Sequence, residues 1–429
     1  MASFGAGSAA TPAFDGERLI LVGTYGEDLG FVQGQGAGVY AFRLDGAGEF
    51  APAMFQNRPL LPSSAVGLNP SYLCASPAFE NVVYVTDERA DLPRGGRVTA
   101  ARVDLDAAGG SPTATALGAP LACGATSTCH VSATATAVFV ANYCGGGDST
   151  TGSAAAFGVD GATGALVGTA GAASDAARLT ALPPAGGPAF PRADAGASAA
   201  RQDTGHAHMV LLSKDESAVL CPDLGADAVY RVDAAAGAAE LCCACAAGDG
   251  PRHAAWHPTL DVLYVLCELS SVLRAFRVDG SGRALGDGAP FSSARALPDP
   301  CYPAGGGPPA SPPSTCAALV VHPSGRFAFC SNRAVGVDGL VTRFDLDAAG
   351  APDAAVHLSS GGLTPRELSF AGPNAELLLV ANQDDNAITA YAVDADSGAL
   401  SKRGATRCPT PVCLLDLGPA AFAFADAAP

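Results

Sequence analysis

Several stretches far apart in the chain carry side chains able to grip an anion and move a proton. The stretch "HAHMV" places His206 and His208 two residues apart, a spacing that turns both side chains to one side of an extended strand. In "GPRHAAWHP" Arg252 stands beside His253, and the apolar run that follows, "LDVLYVLCE", ends on Glu268. "FAFCSNR" ends in the same manner on Asn332 and Arg333, while "TPRELSF" and "LLLVANQ" supply Arg366, Asn382 and Gln383. Guanidinium forks match carboxylate or phosphate oxygens, and a carboxylate or imidazole beside them can take a proton from water. Taken singly, each of these is an ordinary solvated strand end, and Arg252 with Glu268 makes a plain ion pair between strands. Their recurrence at equivalent places is what gives them weight.

The equivalence comes from internal repetition. "PSYLCASPAFENVVYVTDERADLPRGGRVTAARVD", "PRHAAWHPTLDVLYVLCELSSVLRAFRVD" and "PRELSFAGPNAELLLVANQDDNAITAYAVD" share one plan with three further copies. Each has a short apolar strand, a polar turn, a second β-rich strand ending on a polar cluster, a loop, and a third strand closing on Val-Asp or Leu-Asp. The closing residues are Asp45, Asp104, Asp160, Asp233, Asp279, Asp347 and Asp394, and the shortest intervals, about 46 residues, match one four-stranded propeller blade. The first copy, "RLILVGTYGEDLGFVQGQGAGVYAFRLD", lacks its first strand, and "PTPVCLLDLG" at residues 409–418 is available to supply it. A ring clasped by strands from both ends leaves no exposed sheet edge.

The expected fold is therefore all-β, a seven-bladed β-propeller closed by N- and C-terminal strands in one blade. It fills residues 18–418, between a disordered segment at 1–17 and a tail at 419–429. Residues 171–203, rich in Ala, Pro and Gly, read as a long loop, and 283–315 as a second insertion. Glu268 ends an apolar strand because that strand leaves the packed interior at the rim where such loops gather.

Composition narrows the function. Apolar residues make up 48% and charged ones 15%, enough to bury a core. With 24 basic against 41 acidic residues the net charge is −17, which repels nucleic acid and anionic membranes alike. No basic segment followed by an apolar one opens the chain, and no uninterrupted apolar run reaches about 18 residues, so the expectation is a cytosolic protein. The sequence has 14 cysteines, of which Cys74, Cys221, Cys267 and Cys330 lie in apolar runs and read as reduced packing thiols. Its oligomeric state is not legible.

Competing signals are weaker. His206 and His208 with Asp223 or Glu268 match no common zinc spacing, and Cys242, Cys243 and Cys245 lack a second pair. "YCGGGDSTTGS" has no Gly-Lys-Ser/Thr ending and reads as a hairpin loop, and no Gly-x-Ser-x-Gly elbow occurs. A single tryptophan excludes blade-by-blade Trp-Asp signatures.

The stretches "LVGTY", "NPSYLCASP", "VFVANYCGGG", "RQDTGHAHMVLLSKD", "GPRHAAWHP", "LYVLCELSS", "HPSGRFAFCSNR" and "TPRELSF" resemble the propeller-type 6-phosphogluconolactonase (lactonase) family, which includes carboxymuconate-cyclising enzymes, in family order over roughly residues 18–417. The resemblance implies a cytosolic sugar-lactone hydrolase of the pentose phosphate route acting on a small anionic substrate, with no cofactor or required metal. It places the family's catalytic His, two Arg and Glu at His208, Arg252, Arg333 and Glu268, with His206 as a further, variable member, while the equivalent blade positions add Arg366, Asn382 and Gln383 to His206 as substrate-binding residues. Glu268, with His208, is then expected to deprotonate water. "HVSATATAVFV" departs from the family by lacking a Pro-Asp-Gly turn, and "LCPDLGAD" by a cysteine near the rim. A muconate-type lactonising cyclase and a non-enzymatic binding propeller remain the alternatives.

Overall fold

A computed structural model of the chain describes residues 16–51, 58–91, 95–105, 112–145, 151–168, 178–182, 201–233, 237–301, 314–334 and 337–419. Residues 1–15 of the expected terminal segment, 420–429 of the expected tail, most of the 171–203 insertion and the 302–313 part of the second insertion lie outside them, while Glu17 and Pro419, assigned to the segment and the tail, end strands.

Alternation of β-branched and aromatic residues with short turns produces strands almost throughout, and seven separate antiparallel sheets result. Blade 1 runs, from rim to axis, Leu61–Pro62, Gly38–Asp45, Glu17–Thr24 and Pro411–Pro419. The last strand of the chain is thus the inner strand of the first blade, with Leu21 opposite Leu415 and Val22 opposite Leu414. This is the expected clasp.

The remaining blades follow in chain order. Their inner strands are Tyr72–Ala75, Thr126–Ala133, Leu211–Leu212, Pro251–Trp256, Ser314–Val321 and Pro365–Ala371. Their second strands are Val82–Asp87, Ala137–Cys144, Val219–Asp223, Val262–Cys267, Phe327–Ala334 and Leu377–Asn382.

The core is distributed rather than central. One apolar cluster fills each gap between neighbours: Leu21, Val83 and Val85 join blades 1 and 2, Leu220, Val265 and Phe276 join blades 4 and 5, and Ile20, Leu379 and Leu414 join blades 7 and 1. Each fully buried aliphatic or aromatic side chain stabilises the ring by about 1.5–3 kcal/mol, so the blades are held by their faces and the axis is left free for polar groups.

The repeated aspartate has a structural task. Asp45, Asp160, Asp279, Asp347 and Asp394 each accept backbone N–H groups from residues two to four positions on, closing the hairpin to the outer strand. The 171–203 insertion departs from the loop expectation at one place, where Arg178–Ala181 pairs with the third strand of blade 3 through Leu179 opposite Ala155. The apolar residues in that short run allow a strand within an Ala/Pro/Gly-rich segment.

Candidate active site

The period of two along each second strand sorts its last residues into two sets. Thr24, Asp87, Asn142, Asp223, Cys267, Asn332 and Asn382 are buried at its end. The amides among them bond sideways within their own blade: Asn142 Nδ2 donates to Ser153 Oγ (3.1 Å), Asn332 Nδ2 to Thr342 Oγ1 (3.1 Å) and Asn382 Nδ2 to Thr389 Oγ1 (3.2 Å). The residues one step further on, Tyr25, Glu88, Tyr143, Leu224, Glu268, Arg333 and Gln383, form the second set. Five of them, Glu88, Tyr143, Glu268, Arg333 and Gln383, line one cavity of about 680 Å³ at the mouth of the central channel.

Inner strands contribute through bulges. The ladder shifts register between Pro251 and His253 and again between Pro365 and Glu367, leaving Arg252 and Arg366 as the extra residues. A bulge re-aims a side chain that regular pleating would lay against a neighbouring blade. Both arginines reach the channel, Arg366 at the cavity wall and Arg252 at the floor below it.

Glu268, 2% exposed, is the centre of charge. Its Oε1 accepts a hydrogen bond from Arg201 Nη2 at 2.7 Å, and its Oε2 lies 3.0 Å from both Arg252 Nε and Arg333 Nη2. Further bonds fix the guanidiniums, Arg252 Nη1 donating to the Ala317 carbonyl (2.6 Å) and Arg333 Nη2 to the Cys316 carbonyl (3.0 Å). Burial pushes the Glu268 carboxyl up, but Arg333, Arg201 and Arg252 together outweigh it and hold the group at about 2. Glu268 is a carboxylate at any physiological pH, and three cations around one anion leave the wall positive.

From the blade next to that of Arg333, Arg366 lies over the rings of Tyr25 and Phe31, 5.0 and 5.7 Å from their centroids. Its Nη2 donates to Tyr25 Oη (2.7 Å), which in turn donates to Glu88 Oε2 (2.8 Å). Three guanidiniums, Arg201, Arg333 and Arg366, and three acidic side chains, Glu88, Glu268 and Asp384, line the cavity, and its floor adds Arg252 and Glu367, in a chain whose overall charge is −17.

His208 lines the same cavity, buried, with Nδ1 lacking a hydrogen-bond partner. Burial first, then Arg252, Arg366 and Arg333, push its pKa well below the ordinary imidazole value, so the ring is neutral.

The expectation that His206 and His208 point one way is met only at Tyr143, whose ring stacks on His206 at 4.4 Å and meets His208 edge-on at 5.5 Å. The regular inner strand of blade 4 starts only at Leu211, but Ala207, between the two histidines, already bridges Asp223 in antiparallel pairing, with His208 N–H donating to the Pro222 carbonyl and Leu224 N–H to the His206 carbonyl. His206 sits behind Tyr143, with Nε2 2.9 Å from Asp203 and Nδ1 3.0 Å from the Tyr143 carbonyl. Burial opposes its charge, but Cys144, Asp203 and that carbonyl raise it to about 9.

Of the eight residues singled out, His208, Glu268, Arg333, Arg366 and Gln383 line the cavity and Arg252 its floor, while His206 and Asn382 stand behind. Arg201, Tyr25, Glu88 and Tyr143 complete the site without having been singled out. Glu88, Tyr25 and Tyr143 occupy the repeat position of Glu268 and were accessible by that alignment. Arg201 lies near the end of the 171–203 insertion, has no counterpart in other blades and carries no periodic signal.

Among the described residues one cluster of metal-ligating types occurs, Cys245, Asp249 and Cys267, and the Asp249 carboxylate there is already held by Arg274.

A family model described as "Lactonase, 7-bladed beta-propeller" matches residues 19–415. The chain belongs to this lactonase family. It is 27% identical over 222 residues to a 6-phosphogluconolactonase of Bacillus subtilis, covering 50% of this chain and 58% of that protein. A 6-phosphogluconolactonase of Formosa agariphila is 27% identical over 209 residues, 47% of this chain and 54% of that protein. The chain spans about half the length of the curated relatives it matches. The solved structure of the periplasmic gluconolactonase of Pseudomonas aeruginosa, 26% identical, superposes with a TM-score of 0.69 over 93% of this chain and 98% of that one. No helix among the described residues is long and apolar enough to cross a membrane.

Proposed function

We propose that the protein hydrolyses 6-phosphoglucono-1,5-lactone to 6-phosphogluconate, acting in a reducing, cytosolic compartment that suits its 14 unpaired thiols. The observation that carries this assignment is the gathering of Arg201, Arg252 and Arg333 around Glu268, with Arg366 brought beside them from the neighbouring blade. A cavity of about 680 Å³ lined by Arg201, Arg333 and Arg366, with Arg252 at its floor, suits a sugar lactone with an anionic end.

Arg366, with Thr364 and Gln383 on the same wall, holds the phosphate, and the Arg201/Arg333 wall receives the lactone carbonyl. Water attacks C1, its oxygen bonding there while one proton passes to His208. The developing oxyanion is stabilised by guanidinium N–H groups already fixed in place, so little reorganisation accompanies charge build-up. The C1–O5 bond then breaks, and the imidazolium returns the proton to the departing ring oxygen, leaving the acid and a free hydroxyl. A bound phosphate offsets the cations that depress His208, which brings the imidazole closer to the range where a general base works.

Glu268 has a different part from the one expected of it in the sequence. A carboxyl held at about 2 with both oxygens engaged by guanidiniums is a poor proton acceptor near neutrality, and its task here is to anchor the arginines. The test is an assay on freshly generated 6-phosphogluconolactone, coupled to oxidation of the product, with and without chelator. Turnover above the spontaneous rate that survives chelator is expected. A rate equal to the spontaneous one, or activity only toward a muconate-type dicarboxylate, would refute the assignment.

A further inference from the structure

Below the cavity the channel narrows to a small void bounded by Arg252, Arg366, Tyr25, Tyr72, His253 and Glu367. Glu367 follows the bulged Arg366 in blade 7 as His253 follows Arg252 in blade 5. The hydrolytic steps above make no use of it.

Its neighbours come from every side. His130, His208 and His253 pack ring against ring, with Tyr72 4.0 Å from His130 between centroids, and all three imidazoles are held neutral, chiefly by burial. Tyr72 from blade 2, Tyr25 from blade 1 and Cys413 from the closing strand have pKa values raised by burial and stay protonated. Glu88 bonds to Tyr25. The cations beside Glu367 are Arg252 from blade 5 and Arg366 on its own strand, which border the void with it, and Arg366 also lines the cavity above.

Building on the anionic-substrate assignment, we propose that Glu367 is a positioning residue that couples oxyanion binding in the cavity to protonation of the channel floor. As the neutral acid it leaves Arg252 and Arg366 directed at an anion above them, and as a carboxylate it competes with that anion for both. Burial pushes its carboxyl up to about 8 against the lowering pull of Arg252 and Arg366. A raised acid is neutral below its pKa and charged above it. A second negative charge in the cavity raises it further, so the anion prefers the protonated form and binding near pH 8 draws in a proton. The coupling is reciprocal, since protonation must tighten anion binding by the factor by which the anion favours protonation.

Sulfate is the probe, because it does not titrate anywhere near this range, and calorimetry in buffers of different ionisation enthalpy counts the protons. The unaltered protein is expected to take up about half a proton per sulfate at pH 8 and to bind it several-fold more weakly at pH 8.5 than at about pH 7. Glu367→Gln, the isostere of the neutral acid, is expected to bind sulfate with no proton uptake and nearly constant affinity over that window. His206, raised to about 9, is retained in the variant, so any weakening that persists there belongs to it. Zero uptake by the unaltered protein at pH 8, or equal uptake in the Gln variant, overturns the coupling, and the first of these requires no variant to fold. Proton-linked sulfate binding in a protein without lactonase turnover would sink the proposed reaction and leave the coupling standing. Turnover without proton linkage would do the reverse.

Discussion

Glu268 and Glu367 lie in the same channel, are 2% and 6% exposed and both act on Arg252, yet they are held in opposite charge states. Burial raises both carboxyls. The difference is the number of guanidiniums in contact: three within 3.0 Å of Glu268, while Arg252 and Arg366 lower Glu367 only through space. Contact electrostatics at these distances outweighs desolvation, and at longer range it does not. The rim residue of blade 5 is thus a fixed anion that orients cations, and the floor residue of blade 7 is a neutral acid near its titration point.

Removing the fixed anion should have the largest effect. Glu268→Gln leaves Arg252 buried without its counter-ion, and losing one partner of such a pair costs about 3–5 kcal/mol. Turnover should fall about a hundredfold or more with it, because the arginines lose their anchor, and denaturant unfolding alongside initial rates would report both losses. The same group gives the unaltered protein an acid limb. Its carboxyl is depressed from 4.5 to about 2, so its stabilisation is complete above the ordinary value and disappears as pH falls through that interval. A stability profile of Glu268→Gln should lack this limb. If it kept the limb, the three-arginine cluster would not be what ionises Glu268.

His208→Gln should lower kcat by about a hundredfold or more with little change in stability, since the ring has no fixed Nδ1 partner to lose. Near-normal kcat would return the proton transfer to another group. Arg366→Met should raise KM for the phosphorylated lactone by about tenfold, equivalent to about 1.4 kcal/mol, while leaving the unphosphorylated lactone nearly unaffected. The smallest effect on activity belongs to the residues behind the rim. Asn382→Ala removes a buried amide bonded to Thr389 Oγ1 and the Ser360 carbonyl, which should cost about 1–3 kcal/mol of stability and leave kcat within about twofold.

These contrasts also mark how far the sequence could be read. The seven blades, the terminal clasp and the gathering of Glu268, Arg333, Arg366 and Gln383 at one mouth followed from the repeat, because an inter-blade core writes the same apolar alternation seven times. Asn382 beside Gln383 exposes the limit of that reading. Adjacent strand residues face opposite ways, and aligning Gln383 with Glu268 and Asn382 with Cys267 assigns the channel to Gln383 alone. His206 and His208 both meet Tyr143, but only the stacking of the Tyr143 ring on His206, a contact between blades, leaves His206 behind the rim. Arg201 opens the quoted stretch "RQDTGHAHMVLLSKD" but has no counterpart in the other blades to mark it, and the charge states of Glu268 and Glu367 depend on contacts between blades that no single stretch contains.

The most direct measurement compares kcat/KM for 6-phosphogluconolactone and for unphosphorylated glucono-1,5-lactone in the same preparation. A preference for the phosphorylated substrate of about a hundredfold, falling roughly tenfold in Arg366→Met, is the predicted result. Equal values for the two lactones, or a preference that Arg366→Met leaves intact, would contradict the assignment of the cationic mouth to a phosphorylated lactone.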